Sequence, residues 1–275
     1  MPLAKVPGGD IHYEASGAGA PLVLLLPQSA GPVGVGPFVA GLEGDFTVIR
    51  YDQRGTGQSP PPADAAAISM ADRAGEAAGL LDALGLPSAR LFGHSTGCGV
   101  GLALAHAHGE RVEGMVLAAP WSHGDAYLST MQHLRVAAAA ALGPADYARF
   151  NASLLFPPEY RRAHAAGFGR QAADAAPQDA AQISARLEAI LAFDSRPILP
   201  RIPCPTLAMT AADDQLMPAW FGREIAAGLP DARFVELSGG GHMLPETRTA
   251  DMLRLTLDFL RAGGALELQN KEPQT

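Results

Sequence analysis

Leu91-Phe92-Gly93-His94-Ser95-Thr96-Gly97-Cys98-Gly99-Val100-Gly101-Leu102-Ala103-Leu104-Ala105 reads as the end of a buried strand, a glycine-flanked turn and a helix of small residues. Gly93-x-Ser95-x-Gly97 puts a serine at the turn with minimal bulk two residues to either side. A serine held at a sharp strand-to-helix turn presents its hydroxyl, and such a turn tolerates little beyond glycine at the flanking positions. A glycine-rich turn without chemistry is the plain alternative. The apolar run before the motif and the helix-compatible run after it favour Ser95 as a nucleophile.

Working outward, Pro21-Leu22-Val23-Leu24-Leu25-Leu26-Pro27 is a short apolar run of the kind expected in a strand covered on both faces. Similar runs lie at Phe46–Tyr51, Ala89–Phe92, Met115–Ala118, Thr206–Met209 and Arg233–Leu237. Six strands separated by helical stretches predict an α/β fold with an open, mostly parallel, doubly wound sheet. His12 sits in an early polar strand. Ser69–Leu84 opens with a capping serine and continues at helical spacing, as does Met252–Leu260. From Ser122 to Arg196 no strand-like run occurs. Four helices fit there, near 125–142, 144–155, 157–172 and 179–194, separated by Gly143-Pro144, Pro157-Pro158 and Ala176-Pro177. The expected organisation is a core of residues 1–121 and 197–265, a helical lid of 122–196 lying over the sheet, and a flexible tail of 266–275.

The 275 residues are 48% hydrophobic, enough for one large core. Only 17% are charged, the net charge is −8, and the two lysines are Lys5 and Lys271. That balance argues against a nucleic-acid partner. The longest apolar block, Val136–Leu142, is too short to span a bilayer, and the first residues carry no secretory pattern, so a soluble cytoplasmic protein without membrane contact is expected. Cys98 and Cys204 lack metal or redox spacing and read as small buried apolar residues. Neither a metal nor another cofactor is implied.

A serine hydroxyl needs a base, and a histidine must reach it in space. His12, His106, His108, His123, His133 and His164 read as surface or capping residues, and His94 points away from the turn. His242, in Ser238-Gly239-Gly240-Gly241-His242-Met243, follows the final strand on a glycine loop. Loops at the carboxyl ends of parallel strands are where groups reach into the crevice above the sheet. A carboxylate should hold the imidazole, and Asp213 and Asp214 compete for that role after the Thr206–Met209 strand. The order Ser95, Asp214, His242 suits one particular fold.

These residues, with Tyr51-Asp52-Gln53-Arg54-Gly55-Thr56-Gly57-Gln58-Ser59, resemble the α/β-hydrolase superfamily over essentially the whole chain. The resemblance implies a Ser95-His242-Asp214 catalytic triad acting on a small-molecule substrate. Members commonly carry a G-x-x-D-x-x-x-P acid loop. Its match to Ala211, Asp214 and Pro218 selects Asp214, with alanine replacing the usual glycine. It also implies an oxyanion hole built from the backbone N–H groups of Ser29 and Thr96, with Gln28 as an alternative donor. Many relatives have His-Gly at the start of that loop, whereas this chain has Pro27, which has no N–H. Asp52 and Arg54 read as a turn cap and a salt-bridge partner. Arg186–Asp194 and Leu199–Thr206 are similar to small bacterial aminoacrylate or carbamate hydrolases and enol-lactonases. Ester, lactone or amide-like hydrolysis ranks first. C–C bond hydrolysis, cofactor-free dioxygenation and a lidded ligand sensor with slow turnover are the alternatives. The oligomeric state is left open.

Overall fold

The computed structural model describes residues 2–27, 35–61 and 69–263. Eight strands among them form one sheet: β1 (Leu3–Val6), β2 (Gly9–Gly17), β3 (Ala20–Leu25), β4 (Phe46–Tyr51), β5 (Ala89–His94), β6 (Val112–Ala118), β7 (Thr206–Ala211) and β8 (Ala232–Leu237). Their order is β1-β2-β4-β3-β5-β6-β7-β8. β1 and β2 are antiparallel to their neighbours, and the remaining pairs are parallel. The six apolar runs are β3 to β8. The polar edge hairpin adds two strands, of which β1 carries too short a pattern to read from sequence.

Alternation along the central strands sorts side chains into two cores. Val23 and Leu25 of β3, Leu91 of β5 and Met115 and Leu117 of β6 enter one. Leu22, Leu24, Phe92, Val116 and Ala118 enter the other. A parallel sheet with helices on both faces requires this two-sided burial. The helices are α1 (Gly36–Leu42), α2 (Met70–Ala83), α3 (Thr96–Ala107), α4 (Ala126–Ala141), α5 (Pro144–Leu155), α6 (Pro158–Ala163), α7 (Ala165–Ala173), α8 (Ala180–Ala192), α9 (Ala219–Gly228), α10 (Leu244–Thr247) and α11 (Thr249–Arg261). Ser69 caps α2 in a reciprocal box with Asp72.

All helices from α4 to α8 lie between β6 and β7, the span read as a helical insertion. One difference stands out: the single helix expected over 157–172 is broken into α6 and α7 at His164, where φ is −111° and ψ 23°. The His164 imidazole folds back on the last turn of α6. Its Nδ1–H donates to the Tyr160 carbonyl at 2.9 Å, the same oxygen that accepts the His164 backbone N–H at 3.0 Å. The tail expected at 266–275 lies outside the described residues.

The helical segment shares the first core. Leu128, Ala139, Ile183, Leu187 and Ile190 join the cluster that contains Trp121. Trp121 is wholly buried, and its Nε1–H donates to the Ile190 carbonyl at 3.1 Å. The two roots of the segment are pinned together because the Ser195 N–H and Oγ–H both donate to the Ser122 carbonyl at 2.8 Å. Replacing Trp121 with alanine removes the largest side chain joining segment and sheet. Large-to-small changes of this type cost about 3–5 kcal/mol. Urea unfolding of Trp121→Ala should show a loss in that range, and a loss below about 1 kcal/mol would contradict the anchoring role.

Candidate active site

The β5–α3 turn confines Ser95 to φ 53° and ψ −121°, backbone that a non-glycine residue rarely adopts. Packing explains both flanking glycines. A Cβ at Gly97 would overlap the Leu25 carbonyl oxygen, and one at Gly93 would sit 2.9 Å from the Gly97 oxygen. The Ser95 N–H donates to the Ala118 carbonyl at 2.9 Å, and the Ser95 carbonyl accepts from the Cys98 N–H at 2.8 Å. Together these bonds hold the serine between β6 and the first turn of α3. Cys98 fills the space beneath, its thiol bonded to the Gly93 and Ala118 carbonyls, and burial pushes that thiol well up. Neither Cys98 nor the buried Cys204 has reactive character.

Ser95, His242 and Asp214 meet. The Ser95 hydroxyl lies 2.8 Å from His242 Nε2, and His242 Nδ1 lies 2.9 Å from Asp214 Oδ2. All three are buried, at 6%, 2% and 4% exposure. Oδ1 of Asp214 accepts the backbone N–H groups of Leu216 and Met217 at 2.8 and 2.9 Å. That turn leaves Oδ2 aimed at the imidazole. Asp213 does a different job, its Oδ1 accepting the Gly241 N–H at 2.8 Å and tying down the loop that carries His242. From the other side, the Leu155 carbonyl at the end of α5 accepts the N–H groups of His242 and Met243 at 3.0 and 3.3 Å. Gly241, at φ 62°, is confined where a Cβ would lie 2.9 Å from that carbonyl.

His94 indeed points away from the serine. Its Nε2–H donates to the His242 carbonyl at 2.9 Å, with the two rings 5.4 Å apart. Burial, reinforced by the neighbouring His242, pulls its pKa down to about 4. His12 departs from its reading as a surface or capping histidine. It is buried, its Nδ1–H donates to Asp52 Oδ2 at 2.9 Å, and its backbone N–H donates to Ser59 Oγ. The hydroxyl and carboxylate of the 51–59 loop supply the polar partners that permit this burial. Asp52 also caps the turn through the Gln58 N–H, and Arg54 pairs with Glu76 at 3.6 Å.

Ser95, His94, Thr96 and His242 line a cavity of about 290 Å³ with Leu26, Pro27, Met70, Leu155, Ile190 and Met217. Thr96 is the first residue of α3, where backbone N–H groups have no partner within the helix. Ser29, the other expected oxyanion donor, and Gln28 lie outside the described residues. Sequence reasoning gave no role to three further lining residues, Arg73, Arg135 and Arg186. Their signal was a charge on an apolar helical stripe: Met70-Arg73-Ala74-Ala77, Leu128-Gln132-Arg135-Ala139 and Ile183-Arg186-Leu187-Ile190. No group of three or more His, Cys, Asp or Glu among the described residues could hold a metal, and no described helix is long and apolar enough to cross a membrane.

The sequence profile of the alpha/beta hydrolase fold matches residues 21–249, and the chain belongs to that family. It is 34% identical over 245 residues to a protein of Azorhizobium caulinodans named "Putative carbamate hydrolase RutD", covering 88% of this chain and 91% of that one. A protein of the same name from Variovorax paradoxus is 36% identical over 257 residues, covering 91% and 96%. Among solved structures, the enol-lactonase of Burkholderia xenovorans superposes with a TM-score of 0.83 at 28% identity, covering 94% of this chain and all of that one. The chain is a hydrolase enzyme with carbamate-hydrolase and enol-lactonase resemblance.

The buried His94 generates a stability prediction. An unfolded histidine takes up its proton near pH 6.5, whereas the folded His94 resists until about pH 4. The neutral imidazole's contribution is therefore full above pH 6.5 and lost as the pH falls to 4. The shift corresponds to a loss on the order of 3 kcal/mol. Urea unfolding at about pH 7.5 and about pH 4.5 should show a smaller pH-dependent loss in His94→Gln, whose amide keeps the bond to the His242 carbonyl, than in the wild type. Equal losses in the two proteins would contradict this linkage.

Proposed function

We propose that the chain is a serine hydrolase that cleaves a small-molecule ester, lactone or amide- or carbamate-like acyl bond through an acyl-enzyme. The observation that carries this reading is the hydrogen-bonded line from Ser95 Oγ through His242 to Asp214, opening on a cavity of small-ligand size. Ser95 attacks the acyl carbonyl while His242 Nε2 takes the hydroxyl proton. His242 then delivers that proton to the leaving group. Asp214 fixes the imidazole with Nδ1–H toward itself and Nε2 toward the serine, and it offsets the charge that develops on the ring. The oxyanion is held by the N–H of Thr96, at the positive end of α3, together with that of Ser29. Each such donor contributes about 2.7–4 kcal/mol in the transition state. Water, activated by His242, releases the acyl group by the reverse path.

Residues 122–196 act as a lid over this site. Leu155, Leu187 and Ile190 line the cavity, which supports a role in shaping the acyl group that enters. The names of the two relatives and of the enol-lactonase favour a small polar acyl compound over a long-chain ester. Cofactor-free dioxygenation calls on the His-Asp pair alone, so the serine hydroxyl already bonded to that pair favours acyl transfer.

Kinetics on p-nitrophenyl acetate test the assignment. Asp214→Asn should lower kcat about 10⁴-fold, as the wrong imidazole tautomer does elsewhere. Asp213→Asn loosens only the Gly241 contact and should cost less than about 100-fold. Ser95→Ala should abolish turnover. Wild-type rates in Ser95→Ala, or equal losses in the two asparagine variants, would overturn these roles.

A further inference from the structure

Three cationic side chains face the same small cavity as Ser95: Arg73 from α2, Arg135 from α4 and Arg186 from α8. No aspartate or glutamate lines it among the described residues. This is unusual in a chain of net charge −8 with eighteen arginines, most of whose described arginines pair with carboxylates. Within the cavity the pairing is missing. Tyr51, Glu76 and Asp72 act on Arg73 without an ion pair among the described residues, and Glu76 is shared with Arg54. Arg135 reaches only the Gln132 side-chain oxygen at 3.0 Å, and its Nε is buried without a hydrogen-bond partner among the described residues.

Arg73 and Arg135 are also held by amide side chains, those of Gln53 and Gln132. Gln53 donates to the Leu26 carbonyl at 2.6 Å and accepts from Arg73, so the end of β3, the 51–59 loop and the arginine form one buried chain. Arg135 and Arg186 sit on the core-facing stripes of α4 and α8, Arg135 between buried Gln132 and Ala139 and Arg186 between buried Ile183 and Ile190. Burial lowers all three pKa values. Arg186 is lowered further by Arg73, and Arg135, with Tyr147 opposing, by Arg186. Arg73 and Arg186, and Arg186 and Arg135, therefore repel each other. Guanidinium does not lose its proton under these conditions, and buried charge without a counter-charge is costly. An anion in the cavity removes that cost, and a planar fork of donors matches a carboxylate.

We propose that the cavity takes a small ester or lactone bearing a free carboxylate, held by Arg73, Arg135 and Arg186 while Ser95 meets its acyl carbonyl. The volume holds roughly ten non-hydrogen atoms, so acyl group and carboxylate are separated by a short chain. Because Arg73 belongs to the core and the other two to the helical segment, the carboxylate also ties the segment to the core when substrate is bound. The proposal rests on the serine-hydrolase reading for its chemistry but not for its binding.

Calorimetry on Ser95→Ala separates the two. Glutarate should bind at least tenfold more tightly than the uncharged glutaramide, and adding Arg186→Gln should weaken glutarate at least tenfold without lowering the thermal midpoint by more than a few degrees. Arg135→Gln serves should the first variant fail to fold. On the Ser95 enzyme, kcat/KM for monomethyl glutarate should exceed that for methyl valerate at least tenfold, and that ratio should collapse in either arginine variant. Glutarate binding no tighter than glutaramide, or unaffected by the arginine substitutions, would overturn the proposal. So would inorganic phosphate competing as well as glutarate, since the site would then take an oxyanion of another kind. Arginine-dependent glutarate binding without turnover of either ester would leave the carboxylate site standing and remove the serine-hydrolase reading instead.

Discussion

The strained backbone of Ser95 is the constraint on which the rest of the site depends. Holding a non-glycine residue at φ 53° costs about 1–3 kcal/mol and persists only where the surroundings over-determine it. Here α3 packs so closely on the sheet that Gly97 touches the backbone of β3, while β6 accepts the serine's own N–H. The small residues of α3 make that approach possible, and burial of Val100, Leu102 and Leu104 supplies apolar stabilisation that offsets the strain. The hydroxyl is thereby placed against His242 and at the cavity.

The second half of the site is held by partners distant in sequence. His242 is fixed at its ring by Asp214 and at its backbone by three groups: the Leu155 carbonyl, His94, and Asp213 acting through Gly241. Leu155 belongs to the helical segment between β6 and β7. The placement of that segment therefore bears on the proposed base as well as on the cavity wall. The Ser122–Ser195 bonds and Trp121 hold the segment at its roots.

Much of this was legible in the sequence because its signals are local. The strands β3 to β8 announce themselves by short apolar runs, the elbow by two glycines around a serine, and α2 by its capping serine. His242 and the Asp213-Asp214 pair stand out by lying on loops just after strands. What stayed hidden is non-local. The division of labour between Asp213 and Asp214 depends on which loop each one faces, although the family's loop pattern already favoured Asp214. The break at His164 has no proline or glycine at that position to mark it. The burial of His12 follows from partners 40 and 47 residues away. The convergence of Arg73, Arg135 and Arg186 requires three helices to be docked, and only their intrusion into apolar stripes hints at it beforehand.

The central claim is that the turn presents Ser95 as an activated nucleophile. Intact-mass spectrometry after exposure to a fluorophosphonate tests it most directly, with Ser95→Ala alongside. A single adduct on the wild type and none on the variant is the expected result. A folded wild-type protein that takes no adduct, or an equal adduct on Ser95→Ala, would contradict the claim.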